Sequence, residues 1–336
     1  MQLSFFDHAM KYQGGKKSMK FLNEMKEIIP FEAIEKILIE KNVYKPNKGK
    51  TGRPSIIAKI LVGSLFLQNW YGLSDPMTRV TVSLPETVEE LIHDRISFRK
   101  FLDIKDEDTI PDETTICKFR NKLIKEELLG SIFEEVKKMM ESKRLILNEG
   151  TLIDATLIHS SEPKRKKDDK GKVISNKAHD SDATYTSKRG RKHHGLKMHI
   201  ATDTNGIIKK VIATTASTHD STQFDELTQD EDKAIFADSG YMQKARKVAL
   251  RAKGIFAGIV ERRVRGQSKL RPKQSRNNTR FSKIRCLVEL PFAFIKQHMN
   301  FRKTRYRGID KNQQHFFMLA ACYNLRRTPA LVRARN

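Results

Sequence analysis

Cysteine is scarce and scattered. Only Cys117, Cys286 and Cys322 occur, with no C-x-x-C pair among them. An odd, widely spaced set argues against a disulfide framework and against a zinc ribbon. Long apolar runs are also missing. The longest, from about Ile56 to Leu67, carries Lys59 and is too short to span a bilayer. The opening stretch, MQLSFFDHAMKYQGGKK, lacks the basic start and apolar run of a secretory signal. The expectation is a soluble cytoplasmic protein with no membrane partner. Acid is in short supply: 40 Asp and Glu stand against 65 Lys and Arg, a formal charge of +25. A surplus that large repels itself unless a polyanion neutralises it, and nucleic acid is the usual one. No internal repeat is present.

What remains is ample for folding. The 336 residues, 38% of them apolar, allow two domains with real cores. Residues from about 20 to 147 read mostly as helix. The segment 54–69 is apolar nearly all round, as in a helix buried among others. IPDETTICKFRNKL (110–123) starts a helix at Pro111 and Asp112 and places Ile116, Phe119, Leu123 and Ile124 on one face. A second helix at about 127–142 carries Leu129, Ile132, Phe133, Val136, Met139 and Met140. With Lys118, Arg120 and Lys122 exposed, the pair could read DNA or could be an ordinary bundle with a basic surface.

The pattern changes at residue 149. TLIDATLI (151–158) is a strand, apolar on both faces except at Asp154. HGLKMHIATD (194–203) and NGIIKKVIATTAS (205–217) flank an Asn-Gly turn and predict a hairpin. KAIFADSGY (233–241) is a short strand ending at Asp238, followed by a helix to about Lys253 and a strand at 254–260. Helix returns over 281–326. Two basic segments, EPKRKKDDKGK (162–172) and Arg262 to Arg280, lack structural periodicity; the second holds eight Lys or Arg against no acid and reads as a loop that tracks phosphates. The predicted class is α/β with a mixed sheet.

The acids carry the chemistry. An ionised Asp154 among Leu152, Ile153, Ala155 and Leu157 costs several kcal/mol, in rough terms, unless paired or bound to metal. Asp238 repeats the anomaly. In RFSKIRCLVELPFAFIKQHM, Arg285, Glu289 and Lys296 share a narrow helical wedge, since four and eleven residues fall about 40° and 20° past whole turns. Glu289 borders the apolar face, and Pro291 predicts a bend or a helix start nearby. An ordinary surface Arg–Glu pair would give the same spacing. Three oxygen-only acids suit Mg²⁺ or Mn²⁺, and a pair of such ions can drive in-line displacement at phosphorus. His193, His194 and His199 make a poor zinc site, because alternate strand positions point apart and no cysteine is near.

These residues resemble a family. LIDATLI, HGLKMHIATDTNG, THDS (218–221), FADSGY (236–241) and RCLVELPFAFIK (285–296) resemble bacterial insertion-sequence transposases of the DDE type, closest to insertion-sequence family five. NWYGLSD (69–75), ISFRKFLDI (96–104), IPDETTICKFRNKL and FRKTRYRGIDKN (301–312) extend the likeness from about residue 20 to 326. The resemblance implies a ribonuclease-H-like mixed-sheet catalytic domain over 149–328, an all-helical N-terminal DNA-binding and dimerisation domain over 1–148, and a basic tail at 329–336. It implies the catalytic, metal-holding triad Asp154, Asp238 and Glu289. It also implies DNA contacts by Arg285, Lys296, Lys197, Arg262, Arg263, Arg302 and Arg305. Arg285 and Lys296 fit the family's Arg and Lys around the Glu, whereas its Tyr three residues before the Arg is Ser282 here. His219 and Asp220 match its His-Asp step, where Asp220 reads as a turn former.

The implied activity is binding of element terminal repeats, cleavage with Mg²⁺ or Mn²⁺ (two ions), and transfer of the 3′-hydroxyl to target DNA by a homodimer at the bacterial nucleoid. A DNA-binding relic or repressor, or a plain metal-dependent nuclease, are the alternatives.

Overall fold

The computed structural model describes residues 17–46, 55–73, 87–105, 108–147, 149–167, 173–177, 180–188, 190–263 and 266–335. Residues 1–16, Ser74 and Asp75 of NWYGLSD, 168–172 of the first basic segment and Arg265 of the second lie outside them. The chain divides into two compact units, Met1–Met139 with Leu325–Asn336, and Met140–Asn324. The sequence reading set the border at 148 and separated 329–336. The observed division falls at 139, inside a helix that ends at Ser142, and 329–335 continue the last helix.

The described part of the first unit is helical: α1 (Lys17–Ile28), α2 (Phe31–Glu40), α3 (Ala58–Trp70), α4 (Val88–Asp94), α5 (Ile96–Leu102), α6 (Glu113–Lys125) and α7 (Leu128–Ser142). Helix α3 is the all-apolar one, buried at Ala58 and throughout Ile60–Trp70. With no polar stripe to give to solvent, it can only be stable wrapped by other helices. Its polar side chains bond locally, Ser64 to the Ile60 carbonyl at 2.7 Å and Asn69 to that of Leu65 at 2.8 Å. Asp112 caps α6 by accepting the Thr115 N–H at 2.6 Å, which satisfies an otherwise orphan donor. The apolar face Ile116, Phe119, Leu123 and Ile124 is buried as expected.

One expectation on α6 fails. Arg120 is 7% exposed and donates to Gln68 Oε1 at 2.9 Å. Lys122 is tied to the carbonyls of Asn42 and Val43 at 3.2 and 2.9 Å. Lys118 and Lys122 are exposed as expected, so of the three cations only Arg120 is drawn inside. A buried guanidinium spent on a glutamine is a packing device rather than a base reader.

The second unit holds the sheet. Its strands are β1 (Thr151–His159), β2 (Lys164–Lys167), β3 (Val173–Lys177), β4 (Thr184–Lys188), β5 (Arg191–Thr202), β6 (Ile208–Thr215), β7 (Ala234–Ala237) and β8 (Phe256–Ile259). The helices are α8 (Phe224–Leu227), α9 (Lys244–Ala252), α10 (Pro272–Arg285), α11 (Glu289–Gln297) and α12 (Ile309–Arg335); α12 belongs to this unit as far as Asn324. Strand β1 pairs antiparallel with β5 and parallel with β7, β5 pairs antiparallel with β6 and β4, and β7 pairs parallel with β8. An antiparallel meander of β1, β5 and β6 extended by two parallel strands on the far side of β1 is the ribonuclease-H-like arrangement.

Local chemistry explains each piece. At the Asn-Gly turn Gly206 takes φ +77°, which favours glycine. Asp203 pins the turn by accepting the Ile207 N–H at 2.7 Å and that of Leu147 at 2.8 Å. One face of the sheet buries Ile153, Ala201, Ile235, Ala237 and Ile259 with Phe224, Leu227, Tyr241 and Leu250. Among the described residues strand β6 pairs only with β5, and α12 covers its other edge. Asn324 accepts the Ile208 N–H and donates to its carbonyl, both at 2.9 Å. Gln313 does the same for the Ala213 N–H (2.6 Å) and the Val211 carbonyl (3.0 Å). Side-chain amides thus replace a missing strand and blunt the edge.

The basic segments are not loops throughout. Strand β2 lies in the first and pairs antiparallel with β3 just beyond it, and α10 begins at Pro272 in the second. Among the described residues, no helix is long and apolar enough to cross a membrane.

Candidate active site

Parallel pairing of β1 with β7 sets two of the three acids side by side. The last pair in register is Ile153 with Ala237, so Asp154 and Asp238 occupy the next step on adjacent strands. Asp238 leaves the strand into a tight turn, and its Oδ1 accepts the Gly240 N–H at 2.6 Å. A Cβ on residue 240 would lie 2.8 Å from that oxygen, so any larger residue there would push the Asp238 carboxylate aside.

Glu289 arrives from the helices. Helix α10 ends at Arg285, a 3-10 turn spans Cys286–Val288, and α11 starts at Glu289. Pro291 falls in the first turn of α11, where its missing N–H costs nothing. This is the helix start its position predicted. The Arg285 guanidinium then joins the two ends of the site, donating to Asp154 Oδ2 at 2.9 Å and to Glu289 Oε1 at 3.0 Å. Among the described residues no three His, Cys, Asp or Glu converge closely enough to hold an ion outright. Arg285 stands between Asp154 and Glu289, supplying a cation to both.

Electrostatics mark the same spot. Burial pushes the Asp154 carboxyl up to about 6. The Asp238 and Glu289 charges push the same way, while the Ala155 N–H and Arg285 pull against them. Asp154 is thus a shielded acid facing two others, a site short of positive charge. Its all-oxygen donor set is the kind that suits a hard divalent cation, and the guanidinium is a natural stand-in for one.

A search against protein families matches residues 147–325 to "Transposase DDE domain" and residues 11–122 to "Transposase domain (DUF772)". The first match alone spans more than half of the chain. The chain belongs to the DDE transposase family. Membership implies nuclease chemistry of the polynucleotidyl-transferase type and, in general, divalent metal ions. Among solved structures, the chain is similar to "Cryo-EM structure of piggyBac transposase synaptic complex with hairpin DNA (SNHP)", at 9% identity and a TM-score of 0.46, covering 94% of this chain and 76% of that one. That likeness is too distant to carry an argument.

In this transposase the cations expected to face DNA have varied surroundings. Lys296 is half-buried and donates to Thr156 Oγ1 at 2.5 Å and to the Leu157 carbonyl at 2.9 Å. Burial lowers its pKa, as do the nearby charges of Lys188 and Arg302. Arg302 donates to the Lys296 carbonyl at 3.3 Å. Lys197 is paired with Asp220 at 2.8 Å and donates to the Thr218 carbonyl. Arg262 reaches Ser239 Oγ at 2.9 Å and Arg263 the Ser268 carbonyl at 3.0 Å. Both are exposed, as is Arg305. Arg262 therefore hangs beside the Asp238 turn, whereas Lys197 and Lys296 already have partners.

Two neighbours, Tyr241 and Arg246, escaped the sequence reading, and a third, His199, was weighed there only as a zinc ligand. His199 is fully buried, bonded to Thr214 Oγ1 at 2.7 Å, and pulled down to about 4, chiefly by burial. Tyr241, three residues after Asp238, is 1% exposed. Burial, then the charges of Asp220, Asp154 and Asp238, hold its proton on. Arg246 lies 4.1 Å over the Phe224 ring and ties the Tyr241 and Ser221 carbonyls together at 2.6 and 2.9 Å. Tyr241 had a signal in FADSGY; Arg246 had none. Asp220 does open a turn, Asp220–Gln223.

Proposed function

We propose that this transposase, of the insertion-sequence family five type and of bacterial origin, binds the terminal repeats of its own element, cleaves DNA there, and transfers the freed 3′-hydroxyl to target DNA. Asp154, Asp238 and Glu289 form the catalytic triad in this reading. The observation that carries it is the placement of Asp154 and Asp238 at neighbouring steps of β1 and β7, with Arg285 bonded to both Asp154 and Glu289.

The three carboxylates would hold Mg²⁺ or Mn²⁺, two ions in all. Such ions supply activation of the attacking water or 3′-hydroxyl and stabilisation of the leaving oxygen. The chain's own residues do the rest. Asp154 and Asp238 approach from rigid strands and Glu289 from the start of a helix, so their oxygens are preorganised. Arg285 neutralises the acids at rest and, swung off them, is in reach of a phosphate of the DNA end. Lys296, held by Thr156 and the Leu157 carbonyl, puts a second cation on the same strand as Asp154. Arg262, Arg263, Arg302, Arg305 and Lys197 extend the positive surface for the duplex. The working form is a homodimer bridging two element ends, acting in the cytoplasm at the nucleoid.

The test is alanine at each acid in turn. Asp154→Ala, Asp238→Ala and Glu289→Ala should each bind labelled element-end DNA within a few-fold of wild type and show no cleavage in Mg²⁺ or Mn²⁺. Cleavage surviving in any of the three would remove that residue from the triad.

A further inference from the structure

Helix α10 has two faces that its sequence did not advertise. At about 100° per residue, Gln274, Asn278, Phe281 and Arg285 fall within an arc of about 60°. All four turn inward. Gln274 donates to Glu261 Oε2 at 2.7 Å, and Asn278 accepts the Glu261 N–H and donates to its carbonyl, both at 2.9 Å. Phe281 packs edge-on against Phe236 and Phe256, with centroids 6.2 and 5.8 Å apart, and Arg285 reaches the acids. About 150° away on the same wheel stand Lys273, Arg276, Arg280 and Lys283, within an arc of about 80°. All four are exposed. None of their side chains has an ion pair or hydrogen bond with another described residue, and no acid lies anywhere on the helix. The helix buries no residue at all. Packing alone therefore does not explain why four cations share one line.

We propose that this outer stripe of α10 holds the phosphates of a target duplex without reading its sequence. The inference rests on the reading of the chain as a DNA-joining enzyme. The four cations, from Lys273 to Lys283, span about 15 Å, long enough to follow a strand past several phosphates. Phosphate contacts fix position and carry no sequence information. Of the helix's three amides, Gln274 and Asn278 are committed to Glu261, and Asn277 falls about 40° outside the arc of the four cations. Arg285 points to the acids while the stripe points away. For joining, the target duplex brings one phosphate to the acids, so DNA on the stripe is the flanking stretch of that duplex, held whatever its sequence.

The experiment measures binding of a duplex of unrelated sequence across a salt series. It compares wild type with the fourfold variant Lys273→Gln, Arg276→Gln, Arg280→Gln and Lys283→Gln, and with each single change. Each phosphate contact contributes about 0.9 to the slope of log affinity against log salt. The fourfold variant should therefore lose about 3 to 4 in slope, and each single variant about 0.9. An unchanged slope overturns the proposal, as does a loss confined to element-end DNA. Cleavage of element-end DNA by wild type is scored in the same preparation. If wild type does not cut but the slope still falls, the stripe stands and the proposed function fails.

Discussion

Replacing Asp154 by asparagine in metal-free buffer should make the second unit more stable at neutral pH. The folded carboxyl, pushed up to about 6, sits roughly two units above its unfolded value of about 3.9. Between those values the native state keeps its proton and the unfolded chain has lost it. Stability therefore falls as pH rises from about 4 to about 6 and stays low above that. Two units are worth about 3 kcal/mol. The side chain is 21% exposed, so solvent screening trims the expected gain to about 2 kcal/mol. Asparagine never ionises and escapes the whole penalty. For a unit of this size that gain corresponds to a rise in melting temperature of about 4–8 °C. The assay is a series of thermal melts in EDTA at half-unit steps from pH 4 to pH 8. The two proteins should melt together near pH 4 and diverge through pH 6, with the variant higher. Added Mg²⁺ should then stabilise wild type and leave the variant behind, because only wild type keeps the full carboxylate set. A variant less stable than wild type at pH 8, or a gap that does not change with pH, would refute the idea that Asp154 is a strained, charge-poor acid.

Other perturbations test the frame around the site. Asp232→Ala should destabilise the unit by about 3 kcal/mol or more in urea titration. The change leaves Lys209, whose side chain is 7% exposed, without its 2.9 Å partner and removes the acceptor of Thr151 and of the Gln229 N–H; a loss under about 1 kcal/mol would contradict that. Gly195→Ala should cost at least about 2 kcal/mol, since the new Cβ would lie 2.1 Å from the Ile158 carbonyl oxygen, a backbone atom that cannot swing away. Wild-type stability there would mean that β1 and β5 are less tightly apposed. Arg285→Ala should leave Asp154 without its main cation and raise its pKa beyond the value near 6. Carboxyl titration by NMR checks the direction, and a lowered pKa would rule out the pairing.

Much of the site was legible because strands betray buried acids. Asp154 and Asp238 each interrupt an apolar strand, and an uncompensated carboxylate there is costly enough to need a reason. The β5–β6 hairpin was legible from alternation around Asn-Gly, and the start of α11 from Pro291. What could not be read is what distance hides. Arg285 meets Asp154 across 131 residues, and no local spacing encodes that. Arg120 looked exposed because its neighbours on α6 are polar, yet Gln68 on α3 draws it inside. The first part of α10, residues 272–280, read as a loop because it has no apolar stripe; Glu261 and Phe281 hold it in place of one. Hairpin β2–β3 was hidden in the same way, under charge that masks alternation.

The most direct test of the account is a joining assay with purified protein, labelled DNA carrying the ends that flank its own gene, and an unlabelled target duplex, in Mg²⁺ or EDTA. Wild type should release element ends and produce longer products with the labelled 3′ end joined to target. Asp238→Ala and the EDTA lanes should yield neither. Tight binding without cleavage in any metal would leave a DNA-binding relic, and cutting without joined product would leave a plain nuclease. Either result contradicts the account.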